Sequence, residues 1–147
     1  MFGWFRRGQP TQPIADRFLG EVWIEGDGEF SQEIVGESHY QGAIAAVAGP
    51  KGDEAKDFQC RAFLICERNN AFDDNAVSVK IKNRTVGYLS RKVNYSYRTA
   101  LSQISLRLPA ASVDALIVGG WKNNRSEGHY GVQLDMIWPV RFVERVD

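Results

Sequence analysis

Residues 76–89, Ala-Val-Ser-Val-Lys-Ile-Lys-Asn-Arg-Thr-Val-Gly-Tyr-Leu, decide the fold. Val77, Val79 and Ile81 fall on one side of an extended chain and Ser78 and Lys80 on the other, the period of two that marks a half-buried strand. Lys82, Asn83 and Arg84 form a tight-turn signal, and a second apolar run follows at 85–89, so the segment predicts a β-hairpin. Just upstream, 58–67 is apolar on both faces, as a central strand is. Just downstream, Ser90 has the chemistry of a helix N-cap. Val93, Tyr97, Leu101 and Ile104 are spaced along one face of a helix expected over 91–106.

Working outward, further strands are expected at 18–24, 33–40, 112–121 and 129–138, with a short edge strand at 140–146. In the first of these, Phe18, Val22 and Ile24 alternate with Leu19, Glu21 and Trp23. Residues 43–48 predict a short helical turn, and Gly49, Pro50 and Gly52 a loop. Tyr95, Tyr97 and Trp121 are expected to pack. Several short strands with one main helix predict a mostly β domain at 16–147, a small barrel or strongly bent sheet, behind an N-terminal arm at 1–15. The arm carries Phe2, Trp4 and Phe5, which suit packing on the domain or on a partner.

The chain has 147 residues, 18 Lys and Arg against 18 Asp and Glu, and 44% apolar residues, a balance that fits one domain able to fold without staples. Cys60 and Cys66 share one face of the central strand and read as reduced core thiols, which together with the lack of a signal-peptide pattern predicts a cytoplasmic protein. No apolar stretch approaches the roughly 20 residues that a membrane helix needs. Phosphate-binding loops, nucleophile elbows and His-Glu-x-x-His are all missing, so no enzyme is expected. A zinc site from His39, His129, Cys60 and Cys66 lacks the closely spaced pairs of structural zinc, and neither metal nor cofactor is expected.

The densest polar run is Glu67-Arg68-Asn69-Asn70-Ala71-Phe72-Asp73-Asp74-Asn75. Its bland reading is a long turn whose Asn and Asp side chains bond their own backbone while Phe72 tucks inward. A hydrolytic reading with Asp73 and Asp74 as acid and base is weak, because adjacent side chains on extended backbone point apart.

This run, with 36–42 (Gly-Glu-Ser-His-Tyr-Gln-Gly) before it and 86–91 (Val-Gly-Tyr-Leu-Ser-Arg) after it, resembles in order and spacing the HIRAN domain. The resemblance covers about residues 33–140. It implies a modified OB-like β-barrel and a non-catalytic module that captures single-stranded DNA at its 3′-hydroxyl end, in DNA repair or replication-fork processing, with a separate helicase or nuclease as a possible partner. On that reading Asp73 matches the carboxylate that bonds the terminal hydroxyl, and Asn70, with Asn69 beside it, matches the amides on the terminal nucleotide. Tyr40 and Phe72 match aromatic walls of the pocket, Arg91 a basic residue aimed at a phosphate, and Tyr130 a further aromatic. Asn75 is assigned to shaping the loop. Ser38, His39, Cys66, Arg68 and Ala71 depart from the family pattern; His39 keeps a ring able to stack, whereas Ser38 loses a cationic side chain. These departures motivate an alternative, a protein-interaction or scaffold domain that keeps the barrel without binding DNA.

The neutral total hides two opposed segments. Residues 16–37 hold seven acids and one base, and 80–107 hold seven bases and no acid. A DNA partner is therefore compatible with the composition, provided that it meets one face only.

Overall fold

The computed structural model describes residues 21–71 and 73–145; the arm at 1–15, Phe18, Leu19 and Phe72 lie outside them. In chain order the strands are β1 (Glu21–Ile24), β2 (Gln32–Glu33), β3 (Lys56–Cys66), β4 (Val77–Ile81), β5 (Arg84–Tyr88), β6 (Ala111–Gly119), β7 (Tyr130–Leu134) and β8 (Phe142–Arg145). The helices are α1 (Gln41–Ala48), preceded by a 3-10 turn at Glu37–His39, and α2 (Arg91–Ser102).

The 76–89 hairpin is present as β4 and β5, and Lys82 and Asn83 both take left-handed backbone conformations, φ 50° and 69°. That pair of positive angles lets a two-residue loop follow the twist of the flanking strands. β3 is the long central strand. It pairs antiparallel with β6 from Lys56–Gly119 to Leu64–Ala111, and its end from Phe63 to Cys66 pairs with β4. The eight strands make one curled sheet, a half-barrel in the order β2-β7-β6-β3-β4-β5, with β1 set parallel against β6 and antiparallel to β8. An OB-like barrel is consistent with this architecture.

The two ends of that strand order meet at one point. Val35, just beyond β2, exchanges both backbone hydrogen bonds with Tyr88 at the end of β5, at 2.8 and 2.9 Å. Gly87 makes the approach possible: a Cβ there would lie 2.7 Å from the Val35 carbonyl oxygen and from Ile34 Cδ1. The 3-10 turn and α1 pack against both β5 and β7 and so span the open side of the half-barrel. Ile44 of α1 and Tyr97 and Leu101 of α2 are fully buried with Leu64, Val79 and Ile117 in one core.

Several expectations are corrected. The strand expected at 33–40 stops at Glu33, because Gly36, at φ 85°, turns the chain into the 3-10 turn and α1. The helical turn expected at 43–48 is a full eight-residue helix. α2 ends at Ser102, short of 106. The strand expected at 129–138 ends at Leu134, after which Asp135 caps a turn in 27–30: its carboxylate accepts the backbone N–H groups of Asp27, Gly28 and Phe30 at 3.0–3.4 Å. In β1 the expected alternation gives way to burial of both Trp23 and Ile24, since Arg61 and Arg145 lie over the outward-facing Trp23 ring at 4.8 and 3.9 Å. Tyr95, expected to pack, is 66% exposed.

Cys60 and Cys66 are both free, and burial raises both thiol pKa values above the usual range. Among the described residues no helix is long and apolar enough to cross a membrane.

Candidate nucleic-acid interface

The polar run forms the connection between β3 and β4, and its own side chains fold it. Glu67 donates its N–H to the Ala76 carbonyl at 2.9 Å, which closes the base of the loop. Asn70 accepts the Asp73 N–H at 3.1 Å and donates its amide to Glu67 Oε1 at 2.8 Å. Asp73 Oδ1 accepts the Asn75 N–H at 2.9 Å, the Asx turn that short polar side chains favour. These are the bonds of the bland reading, and they aim the same side chains toward one hollow.

α2 completes the anchoring. Asn94, buried in its first turns, donates its amide to Asp73 Oδ2 at 2.8 Å, and the Arg91 guanidinium lies 3.7 Å from the same oxygen. Arg98, further along the helix, donates to the Glu67 and Ala76 carbonyls at 3.3 and 3.2 Å and so ties the loop's two ends to the helix. The loop is thus pinned by Asn70, Asp73 and Asn94, while Asn75 supplies only its backbone N–H to the pinning bonds described.

Opposite the loop stand His39 and Tyr40, brought there by the 3-10 turn. Between the two walls is a hollow of about 980 Å³, within the size range of small-ligand sites. His39, Tyr40, Asn69, Asn70, Asp73 and Arg91 all line it. Three stretches, at 39–40, 67–73 and 88–91, therefore converge on one place. The hollow exists because the sheet edges meet at Val35 and Tyr88, which brings the 3-10 turn beside the β3–β4 loop.

Tyr88 and Glu67 also line the hollow, and neither was singled out by residue type. Tyr88 follows Val86 two residues on, on the same face of β5, where the strand ends at the hollow. Its ring lies 6.4 Å from that of Tyr40 at an angle of 49°, and its hydroxyl makes a long bond of 3.4 Å to Glu67 Oε2. Burial, the Tyr40 hydroxyl and the Glu67 charge push the Tyr88 pKa up to about 12, so the phenol stays a protonated donor at neutral pH. The signal for Tyr88 was its period-two spacing from Val86; for Asn94 there was none, because a polar residue on a helix normally faces water.

Tyr130 lies elsewhere. It is inward on β7 and buried, its hydroxyl donates to the Gly49 carbonyl, and its N–H donates to Gln41 Oε1 at 2.8 Å, so it locks α1 to the sheet. Phe72 is outside the described residues. Of the departures, Cys66 is buried in the core beneath α2, and Arg68 turns away to donate to the Arg107 carbonyl at 2.8 Å. Ser38 is exposed on the 3-10 turn. Among the described residues no three His, Cys, Asp or Glu side chains gather as a metal site would require.

The assembled site offers acceptors at Asp73 and Glu67, donors at Asn70, Tyr88 and Arg91, and ring faces at Tyr40 and His39. This set suits a small polar group beside a flat one. No protein-family model, curated protein or solved structure matches the chain.

Proposed function

We propose that the chain is a HIRAN-like, non-catalytic module that captures single-stranded DNA by its 3′-hydroxyl end, in DNA repair or replication-fork processing. The observation that carries this reading is the convergence of His39, Tyr40, Asn70, Asp73 and Arg91 on one hollow. A carboxylate has more acceptor sites than the bonds from Asn75 and Asn94 use, so Asp73 retains capacity to accept a hydroxyl proton. A chain continuing through the same point brings a phosphodiester, whose charge and bulk that carboxylate repels. Aromatic faces at Tyr40 and His39 stack on any base, each contact contributing ~1–3 kcal/mol without reading sequence.

A second reading, a scaffold domain that keeps the barrel without DNA, draws on one observation: Asp73 and Asn70 are already engaged within the loop. A fluorescence anisotropy titration separates the two. End capture predicts that an oligonucleotide with a free 3′-hydroxyl binds far better than the same strand ending in a 3′-phosphate. Equal affinity for both sinks end capture, and no binding to either at low salt favours the scaffold.

A further inference from the structure

Tyr95 is a large aromatic side chain held 66% exposed on a regular helix, where it contributes little to the core. Its position around α2 relates it to the hollow. At 3.6 residues per turn, Asn94, Arg91 and Tyr95 follow one another around the helix, Arg91 about 60° beyond Asn94 and Tyr95 about 40° further. Asn94 faces Asp73, Arg91 lines the hollow, and Tyr95 is therefore the next side chain outward from its rim. Residues four apart on a helix have Cβ atoms about 5–6 Å apart, which at about 3.4 Å per stacked base places Tyr95 about two nucleotides from the rim. Lys92, also exposed, lies three positions before Tyr95, and no acid occurs anywhere in 80–107.

We propose that Tyr95 forms a second nucleotide subsite: the second base upstream of the terminal nucleotide, which a dimer lacks, stacks on its ring, while Arg91 and Lys92 attract the intervening phosphates. The proposal rests on the end-capture reading for the direction of the strand. Exposed aromatics beside cations along a groove are the means by which proteins hold single strands without reading sequence. Charge complementarity selects this occupant, because an acid-free segment with two cations flanking the ring suits a polyanion.

The test uses the full chain in competition titrations with oligothymidylates of two and six nucleotides. The wild type should bind the hexamer more tightly than the dimer. Tyr95→Ala should weaken hexamer binding about tenfold, leave dimer binding unchanged and keep the preference for a free 3′-hydroxyl. Tyr95→Phe, which keeps the ring face, should restore hexamer binding. Alanine replaces an exposed residue with a better helix former, so loss of folding is not expected. Hexamer affinity equal in Tyr95→Ala and wild type overturns the proposal. So does a loss in Tyr95→Phe as large as in Tyr95→Ala, which would assign the effect to the hydroxyl, and so does a wild type that binds no oligonucleotide, which would leave the ring for a protein partner. If Tyr95→Ala loses the length advantage while the wild type ignores the 3′ end, the subsite stands and end capture falls.

Discussion

Asn94 donates its side-chain amide to Asp73 Oδ2 at 2.8 Å, from a helix position where it is almost fully buried. The residue expected to meet the terminal hydroxyl is therefore held by the helix that follows the hairpin, as well as by its own loop. This couples the site to the fold and changes what mutation there does.

Asp73→Ala removes the partner of a buried amide and frees the Asn75 N–H, so it should lower stability by about 1–3 kcal/mol as well as abolishing discrimination at the 3′ end. Asp73→Asn separates the two effects. Its carbonyl oxygen still accepts from Asn75, and the Asn94 amide can flip to pair with the new amide group. It should melt within a few degrees of the wild type yet lose the preference for a free 3′-hydroxyl. Thermal unfolding and anisotropy on the same samples check both; a preserved preference in Asp73→Asn removes the carboxylate from recognition.

Gly87→Ala addresses the seam. Its Cβ would sit 2.7 Å from the Val35 carbonyl oxygen, a backbone atom that moves only if the Val35–Tyr88 bridge gives way. A cost of about 1–3 kcal/mol in urea unfolding is expected, the range for overpacking at a tight site. Because the seam brings the 3-10 turn to the loop, oligonucleotide affinity should fall with it. Full stability in Gly87→Ala would show that the two edges separate at little cost.

Some of this was legible in the sequence and some was not, for identifiable reasons. The hairpin was, because Val77, Val79 and Ile81 alternate with polar residues and a turn follows. The loop was, because Asn70 and Asp73 belong to a polar run between two apolar ones. The seam was not: the apolar run at Ile34 and Val35 reads as the start of a strand, and only Gly36 at φ 85° reveals the turn. Tyr130 does not line the hollow: an aromatic on an alternating strand faces either side with equal ease, and here its hydroxyl finds an internal partner at Gly49. Trp23 is buried on the outer face only because two arginines from other strands lie over it. Such cross-strand meetings depend on register, which local periodicity does not encode.

Asp135→Ala serves as a structural control at a residue that does not line the hollow. The carboxylate is nearly buried and accepts three backbone N–H groups of the turn after β1, so its removal should cost about 2–3 kcal/mol in urea unfolding. Oligonucleotide affinity of the folded fraction should not change. A drop in affinity comparable to that of Asp73→Ala would mean that the turn at 27–30 communicates with the site.

Alkaline pH tests the Tyr88 environment. Its pKa rises from 10 in the reference state to about 12 in the fold, chiefly through burial and then through the Tyr40 hydroxyl and the Glu67 charge. Above pH 10 the unfolded chain releases this proton while the folded chain keeps it, so folding loses stability as pH climbs toward 12; below 10 the contribution is fully present. Tyr88→Phe should flatten that part of the stability profile and remove one late-titrating phenol from the ultraviolet absorbance curve. An unchanged curve would place the late titration on another tyrosine.

Arg91 tests whether the basic segment meets phosphate. Its guanidinium stands at the rim of the hollow with its side chain 76% exposed, 3.7 Å from Asp73 Oδ2. A surface pair of this kind stabilises the fold by at most about 1 kcal/mol, so Arg91→Ala should change the melting transition little. If the guanidinium neutralises one phosphate of a bound single strand, the slope of log affinity against log salt should become shallower by about 0.7. The preference for a free 3′-hydroxyl should survive, since Asp73 and Asn70 are still held by Asn94, Asn75 and Glu67. An unchanged slope would assign Arg91 to the loop through Asp73 and leave phosphate attraction to other cations of the segment.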